Sequence, residues 1–183
     1  MNWLAHLFLS DPDPYSRIGN LLPDILRQPA LQALPAEFQH GIAQHRLIDA
    51  FTDAHPLFRQ SVRRIHGRFR RYGPLLVDVF YDHFLARDWP HYSSENLHDF
   101  VAGFYASLDH EGRLLPAAAY ERLCQIRDGD WMRSYGDLKG VAEALRRTSL
   151  RLRKHAPLDE AVANLEADYA GFHEDFSEFF PQL

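Results

Sequence analysis

His45, Asp49 and Asp53 recur at every fourth position within residues 41–53, a stretch without proline. On an α-helix each step of four residues advances by about 400°, so the three side chains form one slowly drifting stripe. Most of the other residues in the stretch are apolar, and an imidazole and two carboxylates are costly to bury unpaired among them. A metal ion, a neighbouring arginine or a water-filled cleft would each satisfy these groups.

A second group of the same chemistry lies in residues 75–87. Asp78 and Asp82 share one helical face, and His83 follows directly. Nearly every other residue there is apolar, which predicts a deeply buried helix. Two Asp/His groups on separate buried helices favour a shared metal centre. Carboxylate and imidazole ligands without thiolate suit Mn, Fe, Mg or Zn, and such mixed sites commonly hydrolyse phosphate esters.

Two further segments carry candidate ligands. Residues 2–9 predict a short helix that brings Asn2 and His6 together, although a histidine in an apolar helix is also typical of a hydrogen-bonded core residue. In Gly19-Asn20-Leu-Leu-Pro23-Asp24, the proline predicts a kink that could aim the Asp24 carboxylate at a site. An ordinary corner between two helices would explain the same pattern.

Other chemistries find less support in the sequence. Two Glu-x-x-His motifs, at Glu37 and Glu95, match the ligands of a di-iron helical bundle, but both fall in the first turn of a predicted helix, where glutamate is favoured anyway. A glycine-rich phosphate loop and a serine nucleophile elbow are absent. The single cysteine, Cys124, excludes an intramolecular disulfide and a cysteine-based zinc site.

Composition places limits on the class of protein. The 183 residues are 46% hydrophobic and 13% aromatic, enough for one folded domain spanning 1–183. The formal net charge of −5 argues against general nucleic-acid binding. No apolar run reaches the length of a membrane span, and the first ten residues lack the basic region of a signal peptide. These features predict a cytoplasmic protein without membrane contacts.

The charges are unevenly distributed along the chain. Residues 59–71 contain six arginines and residues 146–154 contain four arginines and one lysine, in both cases without an acid. Residues 159–178 contain seven acids and neither lysine nor arginine. The two basic segments could bind an acidic macromolecule, or they could pair with the acidic C-terminal helix. The sequence leaves both interpretations open.

Apolar residues recur at every third or fourth position along the whole chain and do not alternate, which predicts an all-α fold. Turns at proline and glycine divide it into about eight helices. The predicted helices cover residues 2–9, a segment capped by Ser16, 35–54, 56–70, 75–87, 95–108, 116–127, 137–154 and 158–179.

Four blocks of this sequence resemble the signature blocks of the bacterial acyl carrier protein phosphodiesterase family, in order and spacing. They are Met1-Asn-Trp-Leu-Ala-His6-Leu, Gly19-Asn20-Leu-Leu-Pro-Asp24, Gly41-Ile-Ala-Gln-His45-Arg46-Leu-Ile-Asp49-Ala-Phe-Thr52-Asp53 and Asp78-Val-Phe-Tyr-Asp82-His83-Phe84-Leu85. Trp131, Tyr135 and the Leu/Arg-rich helix after them are also similar. The family is described as a divergent branch of the HD phosphohydrolases, which implies an HD-domain-like helical fold. The adjacent His-Asp pair of that superfamily is replaced here by His45-x-x-x-Asp49 and the reversed Asp82-His83.

The resemblance implies hydrolysis of the phosphodiester between 4′-phosphopantetheine and a serine of holo-acyl carrier protein. It also implies manganese, with Mg²⁺ or Fe²⁺ as alternatives, and an acidic protein substrate that docks on a basic helical face. Together with the residue chemistry, it predicts the following roles: metal ligands His6, Asp24, His45, Asp49, Asp82 and His83; catalytic residues Asp24, Arg46 and Asn20; supporting residues Asp53, Asp78 and Asn2; docking residues Arg63, Arg64 and Arg68.

Two alternatives to this function stay open. A related hydrolase could act on a small phosphoester or a nucleotide, with the basic segments serving the fold. A non-catalytic helical binding protein could instead hold the Asp/His groups as buried ion pairs.

Overall fold

The computed structural model describes residues 1–152 and 156–183, and these ranges contain helices and turns without a strand. The prediction of an all-α fold is therefore confirmed. None of the described helices is both long and apolar enough to cross a membrane. The α-helices in the described ranges are α1 (Trp3–Phe8), α2 (Pro14–Leu21), α3 (Ala36–Ala54), α4 (Pro56–Arg64), α5 (Gly73–Arg87), α6 (Leu97–Ser107), α7 (Ala117–Asp128), α8 (Trp131–Ser134), α9 (Leu138–Ser149), α10 (Val162–Ala167) and α11 (Tyr169–Phe179).

The described ranges contain more helices than the eight or so predicted, because single residues interrupt longer apolar patterns. The segment predicted as 56–70 stops being α-helical at Ile65, which is extended (φ −74°, ψ 123°). The predicted last helix is divided at Asp168 (φ −137°, ψ 43°). Helix α9 ends at Ser149, and the predicted end of this helix, Arg153 and Lys154, lies outside the described residues.

Helix α5 forms the centre of the core. Eleven of its fifteen residues are buried, as its nearly continuous apolar sequence predicts. Aromatic side chains of α11 pack against it: the rings of Phe80 and Phe172 are 5.4 Å apart, and those of Tyr81 and Phe176 are 5.2 Å apart. Within the described ranges, the buried apolar side chains form one cluster, which includes both Met1 and Phe180. The C-terminal segment therefore holds α5 in place.

Helices α2 and α3 cross at two glycines. A Cβ atom added to Gly41 would lie 2.1 Å from the backbone oxygen of Ser16, and one added to Gly19 would lie 2.5 Å from that of Phe38. Any side chain larger than hydrogen would separate the two backbones. This close approach places Asn20, the residue after Gly19, against the buried face of α3.

Candidate metal centre

Three metal-ligating side chains converge where α1 meets α3. The ligand atoms of His6, His45 and Asp49 all lie within 4.8 Å of one another. His6 Nε2 is 3.1 Å from Asp49 Oδ1, and His45 Nε2 is 3.0 Å from Asp49 Oδ2. Both histidines are buried, whereas the Asp49 side chain is 40% exposed. Within the described ranges no other group of three or more His, Cys, Asp or Glu residues is this close, and we call it the His/His/Asp group.

Asn20 fixes the orientation of both imidazoles. His45 Nδ1 lies 2.7 Å from the Asn20 backbone oxygen, which can only accept, so this Nδ1 carries the proton. His6 Nδ1 lies 2.9 Å from Asn20 Oδ1. The Asn20 amide nitrogen donates to the His6 backbone oxygen and to Ser10 Oγ, which leaves Oδ1 as the acceptor on the imidazole side. In the neutral form of each ring, Nε2 therefore presents its lone pair, the usual arrangement of a histidine ligand.

The His/His/Asp group fits a divalent cation. The two imidazole rings stack in parallel, with centroids 4.0 Å apart and planes 13° apart, so their Nε2 atoms face the same carboxylate. His6 Nε2 is buried and makes no hydrogen bond. Two imidazole lone pairs beside a carboxylate repel one another without a cation or protons between them. The group thus offers three ligand atoms, two imidazole nitrogens and a carboxylate oxygen, of the kind that Mn²⁺, Fe²⁺ or Zn²⁺ binds.

The pKa directions differ between the two imidazoles of the group. Burial lowers the pKa of His6 despite its contact with Asp49. Burial opposes ionisation of Asp49, but His45, His6 and the Met1 ammonium group hold the pKa of this carboxyl far below its usual range. Burial would also lower the pKa of His45, yet contacts with Asp49 and Asp24 raise it. The carboxylate is therefore ionised at neutral pH beside a neutral His6.

A cleft of about 370 Å³ opens beside this group, and we call it the acidic cleft. Its polar walls include Asp24, Asp49, Asp53 and Asp78, and Thr148 and Arg151 also line it. The Met1 ammonium nitrogen lies 3.1 Å from a carboxylate oxygen of Asp49 and 3.1 Å from one of Asp78. Burial raises the pKa of Asp78, and the ammonium group opposes that shift.

Asp24 and Arg46 lie at the edge of the centre. Asp24 Oδ1 is 4.0 Å from His45 Nε2, and the Asp24 side chain is 37% exposed. Asp24 also lines a neighbouring cavity of about 800 Å³, which the exposed Arg46 shares. The structure thus brings Asp24 beside the His/His/Asp group and places Arg46 on the other side of Asp24. Asp53 is exposed and lines the acidic cleft.

Asp82 and His83 lie outside the His/His/Asp group. Asp82 is fully buried and accepts the backbone N–H groups of Leu4 (2.8 Å) and Ala5 (2.9 Å). Asn2 bridges Asp82 to Tyr135 through its amide nitrogen, at 3.0 and 2.8 Å. Burial raises the pKa of Asp82 to about 7, against the effect of the two N–H groups.

His83 has a protein partner on each ring nitrogen. Nδ1 lies 2.8 Å from the Tyr135 backbone oxygen, and Nε2 lies 2.7 Å from the Tyr169 hydroxyl. The polar atoms of Asp82 and His83 are thus all occupied by the protein. Their predicted role as metal ligands stays a prediction that this geometry does not support.

The basic segment of residues 59–71 is partly neutralised by the C-terminal acids. Arg64 lies 2.7 Å from Asp175 and 2.5 Å from Asp168, and Arg68 pairs with Glu160. For these two arginines, pairing with the acidic C-terminal segment is confirmed. Arg63 is exposed. The predicted docking of a partner on Arg63, Arg64 and Arg68 stays a prediction.

Trp131, which the sequence already marks as similar to the family, lies with three arginines beside the acidic cleft, a position that the sequence does not reveal. Arg147 and Arg151 line a small cavity with Trp131, and Arg151 also lines the acidic cleft. The charge count of residues 146–154 indicated a basic segment but not its position beside the cleft. Arg122 joins them from α7, where nothing in its local sequence distinguishes it.

Comparison with known proteins gives one consistent result. The sequence profile of the family described as "Acyl carrier protein phosphodiesterase" matches residues 1–183. Proteins named acyl carrier protein phosphodiesterase from Pectobacterium atrosepticum and Photorhabdus laumondii are 31% and 30% identical to this chain over 184 and 187 residues. Each alignment covers all of this chain, and 95% and 93% of the two relatives. No solved structure matches the chain significantly.

Proposed function

The chain belongs to the acyl carrier protein phosphodiesterase family, and from that premise we propose that it hydrolyses the phosphodiester joining 4′-phosphopantetheine to a serine of holo-acyl carrier protein. The products are the apo-carrier protein and 4′-phosphopantetheine. The observation that carries this proposal is the His/His/Asp group, whose two buried imidazoles direct lone pairs at an ionised carboxylate beside an open cleft. The relation to HD phosphohydrolases and the cytoplasmic location stay predictions.

We assign His6, His45 and Asp49, with Asp24 at the edge, as the residues that hold a divalent ion, and we propose Mn²⁺, with Mg²⁺ or Fe²⁺ as alternatives. When bound, such an ion polarises a phosphoryl oxygen and lowers the pKa of a coordinated water. Asn20 keeps both imidazoles in the Nδ1-protonated form, so the lone pair of each Nε2 can bind the ion.

The protein's own residues handle the proton and the charge of the reaction. The Asp24 side chain is partly exposed, with Oδ1 4.0 Å from His45 Nε2, a position from which it can accept the proton of the attacking water. The bond from phosphorus to the seryl oxygen breaks, and this oxygen leaves with a proton from water or from the Asp24 carboxyl. Four carboxylates in the cleft would repel a phosphodiester, so positive charge must offset them. Arg46, in the cavity that shares Asp24, is our candidate for contacting the phosphoryl oxygens.

The test is the mass of the carrier protein. The purified protein is incubated with holo-acyl carrier protein and Mn²⁺, with and without chelator, and the carrier is weighed by intact mass spectrometry. We expect loss of the phosphopantetheine mass only when metal is present, and no loss with a His45→Ala variant.

The other outcomes separate the alternatives. An unchanged carrier with tightly bound Mn²⁺ would contradict the proposed substrate and favour a small phosphoester. An unchanged carrier without bound metal would mean that the His/His/Asp group is a structural ion pair and that the protein is a helical binding protein.

A further inference from the structure

Two arginines from different helices stack on one tryptophan beside the acidic cleft, and a third arginine lines the same small cavity. The guanidinium carbon of Arg147 lies 4.2 Å from the Trp131 ring centroid, and that of Arg122 lies 4.7 Å from it. Arg151 lines the same small cavity as Trp131 and Arg147. We call Arg122, Arg147 and Arg151 the arginine cluster.

The arginine cluster is continuous with the candidate active site. Thr148 and Arg151 line both the small cavity beside Trp131 and the acidic cleft beside Asp49. Asn2, which hydrogen-bonds to Tyr135, also lines both spaces. The acidic cleft and the small cavity therefore adjoin, and Arg151 lies between them.

The positive charge of the cluster is poorly compensated within the described ranges. Arg147 has one acidic neighbour, Glu143 at 3.3 Å, which also binds Arg146 at 2.7 Å. Arg122 donates to the neutral side chain of Gln125 at 3.1 Å. In the part of the chain that the structure describes, Arg151 makes no ion pair.

Two buried donors of the cluster lack acceptors. Nε and Nη2 of Arg147 are buried and form no hydrogen bond. Burial lowers the pKa of Arg147, and burial together with Arg151 and Arg147 lowers that of Arg122. The Trp131 ring offsets part of the repulsion through cation–π contacts. The described part of the protein therefore leaves Arg147 incompletely hydrogen-bonded, and guanidinium groups crowded together with little compensating acid favour a nearby anion.

The other basic segment differs in this respect. Arg64 and Arg68 are paired with three acids of the C-terminal segment, so their charge stabilises the fold. Arg59 and Arg63 of this segment line a separate cavity, which shares Asp53 with the acidic cleft. Within the described ranges, Arg151 is the one arginine of the two segments that lines the acidic cleft itself. Charge complementarity therefore favours this side of the protein for an acidic partner.

We propose that the arginine cluster binds carboxylate side chains of the acyl carrier protein that flank its modified serine. This inference rests on the proposed function, because it takes an acidic carrier protein as the substrate. A guanidinium group offers two parallel N–H donors that match a carboxylate, and Trp131 holds two such groups in place before the partner arrives. A carrier-protein carboxylate close to a bond cleaved in the acidic cleft would meet Arg151, which lines both spaces.

The test compares two substrates in the same variants. Arg122→Glu and Arg147→Glu are assayed with holo-acyl carrier protein and with the small diester bis(p-nitrophenyl) phosphate, at low and high salt with Mn²⁺ present. We expect the ratio of kcat/KM for carrier protein to kcat/KM for the small diester to fall about tenfold or more at low salt. The loss should appear mainly in KM and shrink at high salt, because screening weakens the contact.

Matched variants define the control. Arg113→Glu makes the same charge change on an exposed residue that lines neither cavity, and it should leave the ratio unchanged. Arg63→Glu tests the other basic segment. If Arg147→Glu does not fold, Arg147→Gln and Arg122→Gln remove the charge with less disruption, and melting temperature and bound Mn²⁺ report on integrity.

The possible failures are distinguishable. If the wild-type protein does not act on the carrier protein, the proposed function fails. If it does act but the ratio is unchanged in the cluster variants, or falls in Arg63→Glu instead, only the assignment of the docking site is wrong.

Discussion

Helices α3 and α5 each carry a buried imidazole and a carboxylate close together in sequence, yet the protein satisfies the polar atoms of the two pairs to different extents. On α3, His45 and Asp49 face each other and His6, whose Nε2 atom has no hydrogen-bond partner. On α5, Asp82 accepts two backbone N–H groups and the Asn2 amide, and both ring nitrogens of His83 are bonded.

The difference lies in what the opposing element supplies. Helix α1 presents backbone donors to Asp82, and these compensate a carboxylate as an N-cap does. The same helix presents to Asp49 the Nε2 atom of His6, which lies 3.1 Å away and forms no hydrogen bond, and the Met1 ammonium group before the helix supplies positive charge instead. Two pairs of the same residue types thus become a structural contact and a candidate cation site. Four experiments test this contrast, and we give them in order of decreasing expected effect.

Replacing His45 with alanine should have the largest effect, on activity. Loss of an orienting partner of a metal ligand typically reduces affinity or activity about 10–100-fold, so loss of a ligand should exceed about 100-fold. The measurement is the rate of phosphopantetheine release at saturating Mn²⁺. His40→Ala is the matched control, because His40 lies on the same helix with its side chain 61% exposed. Retained activity in His45→Ala would contradict the assignment of the His/His/Asp group.

Replacing Asp82 with alanine should chiefly reduce stability. The change leaves the buried N–H groups of Leu4 and Ala5 without acceptors, which should lower the free energy of unfolding by about 3 kcal/mol. Urea denaturation measures this quantity. Asp82→Asn keeps one acceptor and should lose less, and exposed Asp128→Ala should stay within about 0.5 kcal/mol of the wild type.

One result would show that Asp82 is a metal ligand and not only a structural residue. If Asp82→Ala is as stable as the wild type but no longer binds Mn²⁺, Asp82 acts as a ligand, as the sequence predicted.

Replacing Asn20 with leucine should weaken metal binding at the α3 site. The change removes the acceptor for His6 Nδ1 but leaves the backbone oxygen that holds His45. We expect Mn²⁺ affinity to fall by about 10–100-fold, measured by calorimetric titration of the folded variant. Unchanged affinity would mean that Asn20 does not orient His6.

Replacing His83 with glutamine should have the smallest effect. The glutamine amide can retain one of the two hydrogen bonds that His83 makes, so we expect a loss of about 1 kcal/mol in the free energy of unfolding. Mn²⁺ affinity, titrated in parallel, should match that of the wild type. A variant that folds normally but loses the metal would place His83 among the ligands.

The sequence predicts features that depend on neighbouring positions in one helix. The four-residue spacing of His45 and Asp49 already places them on one face, and the structure confirms the all-α fold from the apolar period. Helix ends were less predictable, because one extended residue such as Ile65 leaves the apolar pattern intact.

Contacts between distant residues could not be predicted from local pattern. Nothing around Asp82 indicates that its acceptors meet the N–H groups of residues 4 and 5, 78 and 77 positions away. Likewise, the arginine count of residues 59–71 does not reveal that Arg64 meets Asp175, 111 positions downstream. The chemistry of each side chain was visible in the sequence, but its partner depended on the tertiary structure.

The contact between Asp82 and α1 also bears on the order in which the molecule assembles. A helix of six residues is not stable alone, and the cap of α1 comes from the middle of the chain. We therefore expect α1 to form only after α5 is in place, so that His6 meets His45 and Asp49 late in folding. In hydrogen-exchange measurements, the amide protons of Leu4 and Ala5 should become protected together with those of α5, despite their position near the chain terminus.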